Sequence, residues 1–322
     1  MEQFLYLFIG AGALWLMRLY MQGGKYNKNT TALGKVVIIT GANTGIGKET
    51  ARELSKRGAT IYMACRDMVK CEKARQELIK DTCNKNIHSM KLDLASLKSI
   101  KEFADNFKKK ESRLDILINN AGIMACPRMA TEDGFEMQIG VNHLGHFYLT
   151  NLLLDLLKKS APSRIVMLSS LSHRFGPFKK HDFLSENSYS PSKVYSHSKI
   201  SNILFAHELA KRLQGSKVTV NSLHPGVVDT ELVRYYKIFN IPILSPIVSA
   251  LKWIFFKTTP NGAQTTIYAA LDPDLELVSG AYFSDCRPTK TAAVARNDEL
   301  AKWLWVESDR LINLKLVQLN LK

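Results

Sequence analysis

From residue 35 onward, apolar runs of strand length alternate with amphipathic stretches of helix length. The apolar runs predict strands over 35–40, 59–65, 87–93, 114–120, 164–170 and 217–225. The stretches between them predict helices over 45–57, 68–82, 96–110, 142–159 and 192–213. Strands separated by helices of this length are typical of βαβ units. The pattern therefore predicts an α/β domain built on one doubly wound parallel sheet.

A different apolar run stands at the N-terminus. No charged residue occurs from Phe4 to Met17, and Arg18 follows. A bilayer span needs about 20 apolar residues, which this run reaches if Arg18 snorkels. The absence of a basic start argues against a cleaved signal peptide. We expect a membrane anchor over 1–21, a linker over 22–34 and a domain over 35–322 that faces the cytosol, because positive charge follows the run.

A third apolar segment lies near the C-terminal end of the α/β pattern, between Leu232 and Phe256. Pro242, Pro246 and Lys252 make a second membrane span improbable. Two interpretations remain open: ordinary core helices, or an apolar lid at about 228–258 that covers a substrate pocket and touches the bilayer.

Composition narrows the function classes. The 322 residues carry a net charge of +15, with 46% hydrophobic and 23% charged residues, which is ordinary for a globular core apart from the basic excess. The basic residues are spread along the chain, so a nucleic-acid partner is not expected and an anionic membrane surface is the better explanation. The five cysteines form no CxxC pattern, which argues against a disulfide framework or a zinc site.

The stretch TGANTGIGKET (40–50) joins the first predicted strand to the first predicted helix. A nucleoside-triphosphate loop needs GxxxxGK followed by Ser or Thr, but Glu49 follows Lys48 and Ala42 occupies the position of the first glycine. The spacing is instead GxxxGxG, at Gly41, Gly45 and Gly47. Glycines at a helix N-terminus allow close approach of a pyrophosphate. The loop therefore predicts a dinucleotide.

Further motifs follow in a defined order: NNAG at 119–122, VNHLG at 141–145, a serine pair closing the fifth strand, YSHSK at 195–199 and HPG at 224–226. With the glycine loop, this set resembles the classical short-chain dehydrogenase/reductase family over about residues 36–290. ACRD at 64–67, KT with GAQT at 257–265 and YFSDC at 282–286 resemble the microsomal retinol dehydrogenase and retinal reductase branch.

The resemblance implies a Rossmann-type sheet of strand order 3-2-1-4-5-6-7 and a set of cofactor-binding residues. These are Gly41, Ala42, Asn43, Thr44, Gly45, Ile46, Gly47, Arg66, Asp93, Leu94, Asn120, Ala121, Gly122, Tyr195, Lys199, Pro225, Gly226 and Val227. An acidic residue at the end of the second strand would select NAD, whereas an arginine accommodates the 2′-phosphate of NADP. Arg66 favours NADP, although Asp67 is only one residue further on.

Tyr195 and Lys199 are four residues apart on a predicted helix, so their side chains share a face. A free tyrosine, with a pKa of about 10, is a weak base at neutral pH, and a neighbouring ammonium favours its phenolate. We expect Tyr195 to act as general acid and base, and Ser170 to bind the reacting substrate oxygen. The resemblance implies that Lys199 also binds the nicotinamide ribose and that Asn142 holds a water that relays protons to Lys199.

These features together predict an NADP(H)-dependent oxidoreductase that interconverts retinol and retinaldehyde, favouring reduction, at the cytosolic face of the endoplasmic reticulum. Alternatives are a reductase of other lipid aldehydes or steroids, and a non-catalytic, membrane-tethered NADP-binding protein. No metal is expected, since His143 and His146 lack acidic or cysteine partners at ligand spacing. A homodimer is possible by resemblance.

Overall fold

A computed structural model describes residues 2–235 and 245–321. Its strands are β1 Val36–Thr40, β2 Thr60–Cys65, β3 Ile87–Lys91, β4 Ile116–Asn119, β5 Ser163–Leu168, β6 Val218–His224, β7 Tyr282–Ser284 and β8 Arg287–Pro288. Its helices are α1 Glu2–Met21, α2 Gly45–Lys56, α3 Met68–Thr82, α4 Leu97–Lys110, α5 Met137–Ile139, α6 Gly145–Lys159, α7 Pro191–Arg212, α8 Ser245–Phe255, α9 Thr259–Leu271 and α10 Asp298–Gln318.

The strands form one sheet in the order β3-β2-β1-β4-β5-β6-β7-β8. Strands β1 to β7 are parallel, which confirms the doubly wound α/β sheet and the predicted order of its first seven strands. The prediction was wrong in one detail, because β8 adds an antiparallel edge strand beside β7. This strand has two residues, one of them Pro288, so it carries no periodic signal; proline is tolerated there because an edge strand leaves N–H positions unpaired.

The sheet is covered on both faces, and each face has its own apolar core. The helices α4, α6, α7 and α10 pack on one face, where Phe103 and Phe205 are buried. The helices α2, α3 and α9 pack on the other face around Leu54 and Leu78. Burial on both sides explains why β1, with the sequence VVIIT, is apolar at successive positions instead of alternating.

The N-terminal helix α1 packs against α8, where the ring centres of Trp15 and Trp253 are 6.2 Å apart. Arg18 donates a hydrogen bond of 2.6 Å to the main-chain oxygen of Phe256, the residue that follows α8. Within residues 2–235 and 245–321, no helix has both the length and the apolar character needed to cross a bilayer. The expected anchor over 1–21 is therefore not confirmed. Residues 236–244, the centre of the expected lid at about 228–258, lie outside the described residues.

Candidate active site

The glycine loop lies at the carboxyl end of β1, where the chain turns into α2. Gly41 and Gly45 have φ angles of +67° and +58°, which residues with a side chain rarely adopt. A Cβ on Gly47 would come within 2.6 Å of the Asn120 amide nitrogen and would also strike the Gly41 main chain. The glycines thus allow the tight turn and the close packing of the loop on the start of α2 that a pyrophosphate cradle at a helix N-terminus requires. The Lys48 ammonium forms an ion pair with Glu77 on α3.

One hydroxyl ties this loop to the NNAG segment after β4. Thr40 Oγ1 accepts hydrogen bonds of 2.9 Å from the main-chain N–H groups of both Asn120 and Ala121. The Asn120 amide in turn donates to the main-chain oxygen of Thr40 at 2.8 Å. The carboxyl ends of β1 and β4 are therefore locked together at the sheet's switch point, where open α/β sheets bind their ligands.

Arg66 and Asp67 follow β2 beside this cradle, and both line the same cavity. Asp67 caps α3, with its Oδ1 accepting a 3.0 Å hydrogen bond from the Lys70 main-chain N–H. The Arg66 side chain is exposed, and Lys70 adds a second cation to the lining of this end. Asp93 and Leu94, which follow β3, also line this cavity.

Tyr195 and Lys199 lie one turn apart on α7, and each is only 4% exposed. The Lys199 ammonium is 5.6 Å from the centre of the Tyr195 ring and donates a 3.2 Å hydrogen bond to the main-chain oxygen of Leu168. Burial lowers the Lys199 pKa to about 8, because the charged form loses hydration. The geometry places a cation of moderate acidity directly beside the phenol.

Ser170 follows β5 and faces the same cavity as Tyr195. Its Oγ accepts a hydrogen bond of 3.2 Å from the Ser172 main-chain N–H, which orients the side chain at the start of a 3-10 turn over Leu171–Arg174. The preceding Ser169, which also contributes to the lining, donates a hydrogen bond from its Oγ to the Lys199 main-chain oxygen at 2.8 Å. The two serines thus have separate roles, and Ser170 is the one available to a bound ligand.

Asn142 lies in a π-helical turn, Gly140–Leu144, between α5 and α6. Its side chain exchanges two 2.9 Å hydrogen bonds with the main chain of Ile123 and donates a third to Ser198 Oγ. A Cβ on the neighbouring Gly122 would lie 3.2 Å from Asn142 Oδ1 and 3.5 Å from Lys199 Nζ. The sequence predicted a regular helix from 142; the π turn departs from that prediction because a single residue's change in hydrogen-bond register leaves no mark on apolar spacing.

Pro225, Gly226 and Val227 follow β6 and line the same cavity as the glycine loop. Gly226 has a φ of +99°. The catalytic and cofactor residues predicted from the sequence thus come to one edge of the sheet, and all of them line the cavity except Ala42 and Asn142, which are buried. Parallel strands end at the same edge, which is why motifs more than 150 residues apart meet there.

The cavity bounded by the described residues has a volume of about 770 Å³. Beyond the cofactor end, its walls are largely apolar. They include Met124, Cys126, Met129, Met137, Val141, Phe175, Leu232 and Tyr235. The sequence predicts pocket walls around 126–135, 171–190 and 228–258, which include Phe175 but not Met124; the only signal for Met124 was its position in the loop after the NNAG motif.

The two central histidines have structural partners. His146 Nε2 is 2.9 Å from Thr40 Oγ1, and His143 Nε2 is 2.8 Å from Ser308 Oγ on α10. Burial lowers their pKa values, to about 4 for His146 and about 3 for His143, so both are neutral. Within the described ranges, no group of three or more His, Cys, Asp or Glu side chains is placed to hold a metal ion.

Comparison with known proteins agrees with this geometry. The model of the short chain dehydrogenase family matches residues 35–238. Human retinol dehydrogenase 13 is 50% identical over 306 residues, covering 95% of this chain and 92% of that protein. Human retinol dehydrogenase 12 is 50% identical over 301 residues, with 93% of each chain covered.

A solved structure of an uncharacterised protein from Mycobacterium paratuberculosis is 37% identical, with a TM-score of 0.70 over 88% of this chain and 94% of that one. The family match, the identities and the site together lead to one conclusion. The chain belongs to the short-chain dehydrogenase/reductase family, in the branch of the retinol dehydrogenases, and is an NAD(P)-dependent oxidoreductase that acts on CH–OH groups.

Proposed function

We propose that the enzyme uses NADP(H) to interconvert retinol and retinaldehyde and that it favours reduction of the aldehyde. The observation that carries the proposal is a single cavity that holds Tyr195, Ser170 and Lys199 between a dinucleotide cradle and apolar walls. A long polyene aldehyde has one polar atom, which these groups would bind, and the walls suit its hydrocarbon body. The named activity of the 50% identical relatives supports the same substrate.

Bound NADPH would supply a hydride to the carbonyl carbon. Ser170 donates a hydrogen bond to the carbonyl oxygen and holds it toward Tyr195. Tyr195 gives its phenolic proton to that oxygen as negative charge develops. The Lys199 ammonium, 5.6 Å from the ring centre, stabilises the phenolate that remains. In the oxidation direction, the phenolate removes the proton from the alcohol.

We further propose that Asn142 holds a water that returns a proton to Lys199. The gap at Gly122 supports this role, because a Cβ there would be within 3.5 Å of both Asn142 Oδ1 and Lys199 Nζ. The hydrogen bonds of Asn142 to Ile123 and Ser198 keep its amide in one orientation toward that gap. Replacing Asn142 with Leu should remove the solvent isotope effect of this step; an unchanged effect in D₂O would contradict the relay.

A turnover assay of the purified full-length protein tests the substrate. It compares retinaldehyde, nonanal and a ketosteroid, each with NADPH and with NADH. We expect the highest kcat/KM for retinaldehyde with NADPH. Turnover of the steroid alone would rule out a retinoid substrate. A preference for nonanal would favour the second candidate, a reductase of other lipid aldehydes, which the flexible methionines at 124, 129 and 137 make plausible because they can adapt to different chains.

Arg66 is proposed to bind the 2′-phosphate of NADP, and Asp67 to be occupied as the cap of α3. Arg66→Ala should raise the KM for NADPH by roughly 10- to 100-fold, since a hydrogen bond to a charged group contributes about 1.5–3 kcal/mol. The KM for NADH should change less than about threefold. Steady-state kinetics with both cofactors measures this. The control is Arg287→Ala, an exposed arginine on β8; equal effects of Arg66→Ala on both cofactors would refute the assignment.

We also propose that residues 1–21 attach the enzyme to the endoplasmic reticulum membrane, with the domain in the cytosol. Apolar side chains on α1, among them Leu16 and Leu19, are more than half exposed, and Trp253 and Phe255 of α8 extend the same surface. Exposed apolar patches of this kind mark contact with another apolar phase.

Replacing Leu16 and Leu19 together with Ser should lower binding to phosphatidylcholine–phosphatidylserine vesicles by about tenfold or more, since burying one leucine contributes about 1.5–3 kcal/mol. Vesicle flotation measures the bound fraction. Leu33→Ser with Leu277→Ser is the matched control, because these leucines are 79% and 83% exposed but lie outside α1 and α8. Equal losses in both double variants would exclude a specific membrane surface.

A further inference from the structure

Two motifs of this branch lie outside the catalytic set: KT with GAQT at 257–265, and YFSDC at 282–286. The structure brings both against the chain that follows α1. Gln22, which is 8% exposed, accepts hydrogen bonds from the Thr258 main-chain N–H at 3.0 Å and from the Asn261 amide at 2.7 Å. The Gln264 side chain accepts one from the Tyr26 main-chain N–H at 3.0 Å. We name the region where residues 22–26 contact residues 256–264 the N-terminal seat.

Lys257 lies at the centre of the seat and is only 5% exposed. Its ammonium forms an ion pair of 2.5 Å with the Asp285 carboxylate. Its main chain pairs with the segment after β6, because the Lys257 N–H donates to the Val227 oxygen at 2.7 Å and the Asp229 N–H donates to the Lys257 oxygen at 3.2 Å. The residue is thus bonded both to the motif at 282–286 and to the loop at 225–229.

Glycines on both sides make room for this side chain. A Cβ on Gly226 would come within 2.6 Å of both Cδ and Cε of Lys257. On the other side, Gly23 has a φ of +68°, and a side chain there would collide with the Asp285 carboxylate and the Lys257 ammonium. The Lys257 stem and its ion pair therefore fill the space between the N-terminal segment and the loop that lines the cavity beside Tyr195 and Lys199.

We propose that Lys257 is a positioning residue: paired with Asp285, it holds the 225–229 loop against the N-terminal segment and so sets where the nicotinamide half of the cofactor lies relative to Tyr195. Lys257 itself does not line the cavity. Its effect on the reaction passes through Gly226 and Val227. The part of the inference that concerns catalysis rests on the proposed function, whereas the coupling between seat and loop does not.

Hydrogen exchange of the full-length protein without cofactor tests the coupling. Lys257→Met keeps most of the apolar stem against Gly226 and removes the ammonium. We expect amides in 225–229 and in 22–26 to exchange at least about tenfold faster than in wild type. Asp285→Asn should have the same effect, and the double variant should add little to either single one, because both act on one contact.

The matched control is Lys28→Met. Lys28 also follows α1 and pairs with two carboxylates, Asp272 at 2.8 Å and Asp274 at 2.6 Å, but neither pair contacts the 225–229 loop. This variant should loosen its own segment and leave exchange in 225–229 unchanged. If the amides of 225–229 exchanged at the wild-type rate in both Lys257→Met and Asp285→Asn, the proposal would be overturned, whatever the enzyme's substrate.

Kinetics distinguish positioning from simple structural support. In Lys257→Met we expect kcat to fall about tenfold, KM for the aldehyde to stay within about threefold, and the isotope effect from NADPH deuterated at the transferred position to rise, because a misplaced donor slows the hydride step itself. A loosened loop with unchanged kcat and unchanged isotope effect would overturn the positioning role. A wild-type protein inactive with every aldehyde would refute the proposed function, and the exchange comparison would still decide the coupling.

Discussion

Tyr195→Phe is expected to lower kcat for retinaldehyde reduction by about 10³-fold, within the 10²- to 10⁴-fold range of general acid catalysis. The change removes one oxygen and keeps the ring. Because Tyr195 is 4% exposed and lies on a long helix, the ring keeps its packing and the fold should be unaffected. The dissociation constant for NADPH, followed by its fluorescence, should stay within about threefold of wild type.

Tyr148→Phe is the control for this experiment, because Tyr148 is also buried but lies on α6 away from the cavity lining. It should keep wild-type kcat. A Tyr195→Phe protein that retained more than a tenth of the activity would contradict the general-acid assignment. If cells kept the protein's biological function with this variant, the alternative of a non-catalytic, membrane-tethered NADP-binding protein would be favoured instead.

Lys199→Met should lower kcat by about 10²- to 10³-fold, because it removes the cation that stabilises the Tyr195 phenolate. The same change should not weaken the fold. The Leu168 oxygen that loses the Lys199 hydrogen bond still accepts one of 3.0 Å from the Asn202 amide. Methionine has a similar length and carries no charge that needs hydration. An inactive but more stable protein is therefore the expected result.

The shifted pKa of Lys199 determines whether its ammonium raises or lowers the free energy of unfolding at a given pH. The folded-state pKa of Lys199, about 8, lies below its ordinary 10.5, so the unfolded chain binds the proton more tightly. The ammonium thus destabilises the fold below pH 8, by about 3 kcal/mol at most, and this cost disappears as pH rises from 8 to 10.5.

Urea unfolding of the cofactor-free wild type and Lys199→Met measures this cost as a difference in the free energy of unfolding. The variant should be the more stable protein at pH 7, and its advantage should shrink toward pH 10.5. A constant difference across that range would show that burial does not disfavour the charged form of Lys199.

The position of the candidate site could be predicted largely from the sequence because its residues lie in motifs with defined spacing on long, regular elements. Tyr195 and Lys199 share a helix face, and Gly41 to Gly47 link a buried strand to a helix. The common edge of a parallel sheet then brings them together. Periodicity and this topological rule predict that the motifs meet at one edge, whereas the role of each residue was expected from the family that the motifs resemble.

The parts that could not be predicted depend on long-range pairing of short segments. A seventh strand was expected only from the family resemblance and β8 was not expected, because these strands have three and two residues, too few for a periodic signal. The partners of Lys257 are set by contacts with residues 28 positions away at Asp285 and far upstream at Gly23. The π turn at Asn142 changes hydrogen-bond register without changing composition. The sequence around Lys257 does not distinguish it from an exposed lysine at the start of a helix.

The hydrogen bond between Gln22 and Thr258 joins residues 236 positions apart. During translation, at about 5–20 residues per second, Thr258 is made roughly 10–50 s after Gln22. The N-terminal seat therefore cannot form while the first strands and the glycine loop are emerging from the ribosome. It closes only when α9 has been synthesised, so a chain that stops short of α9 has the dinucleotide cradle but not the support for the 225–229 loop.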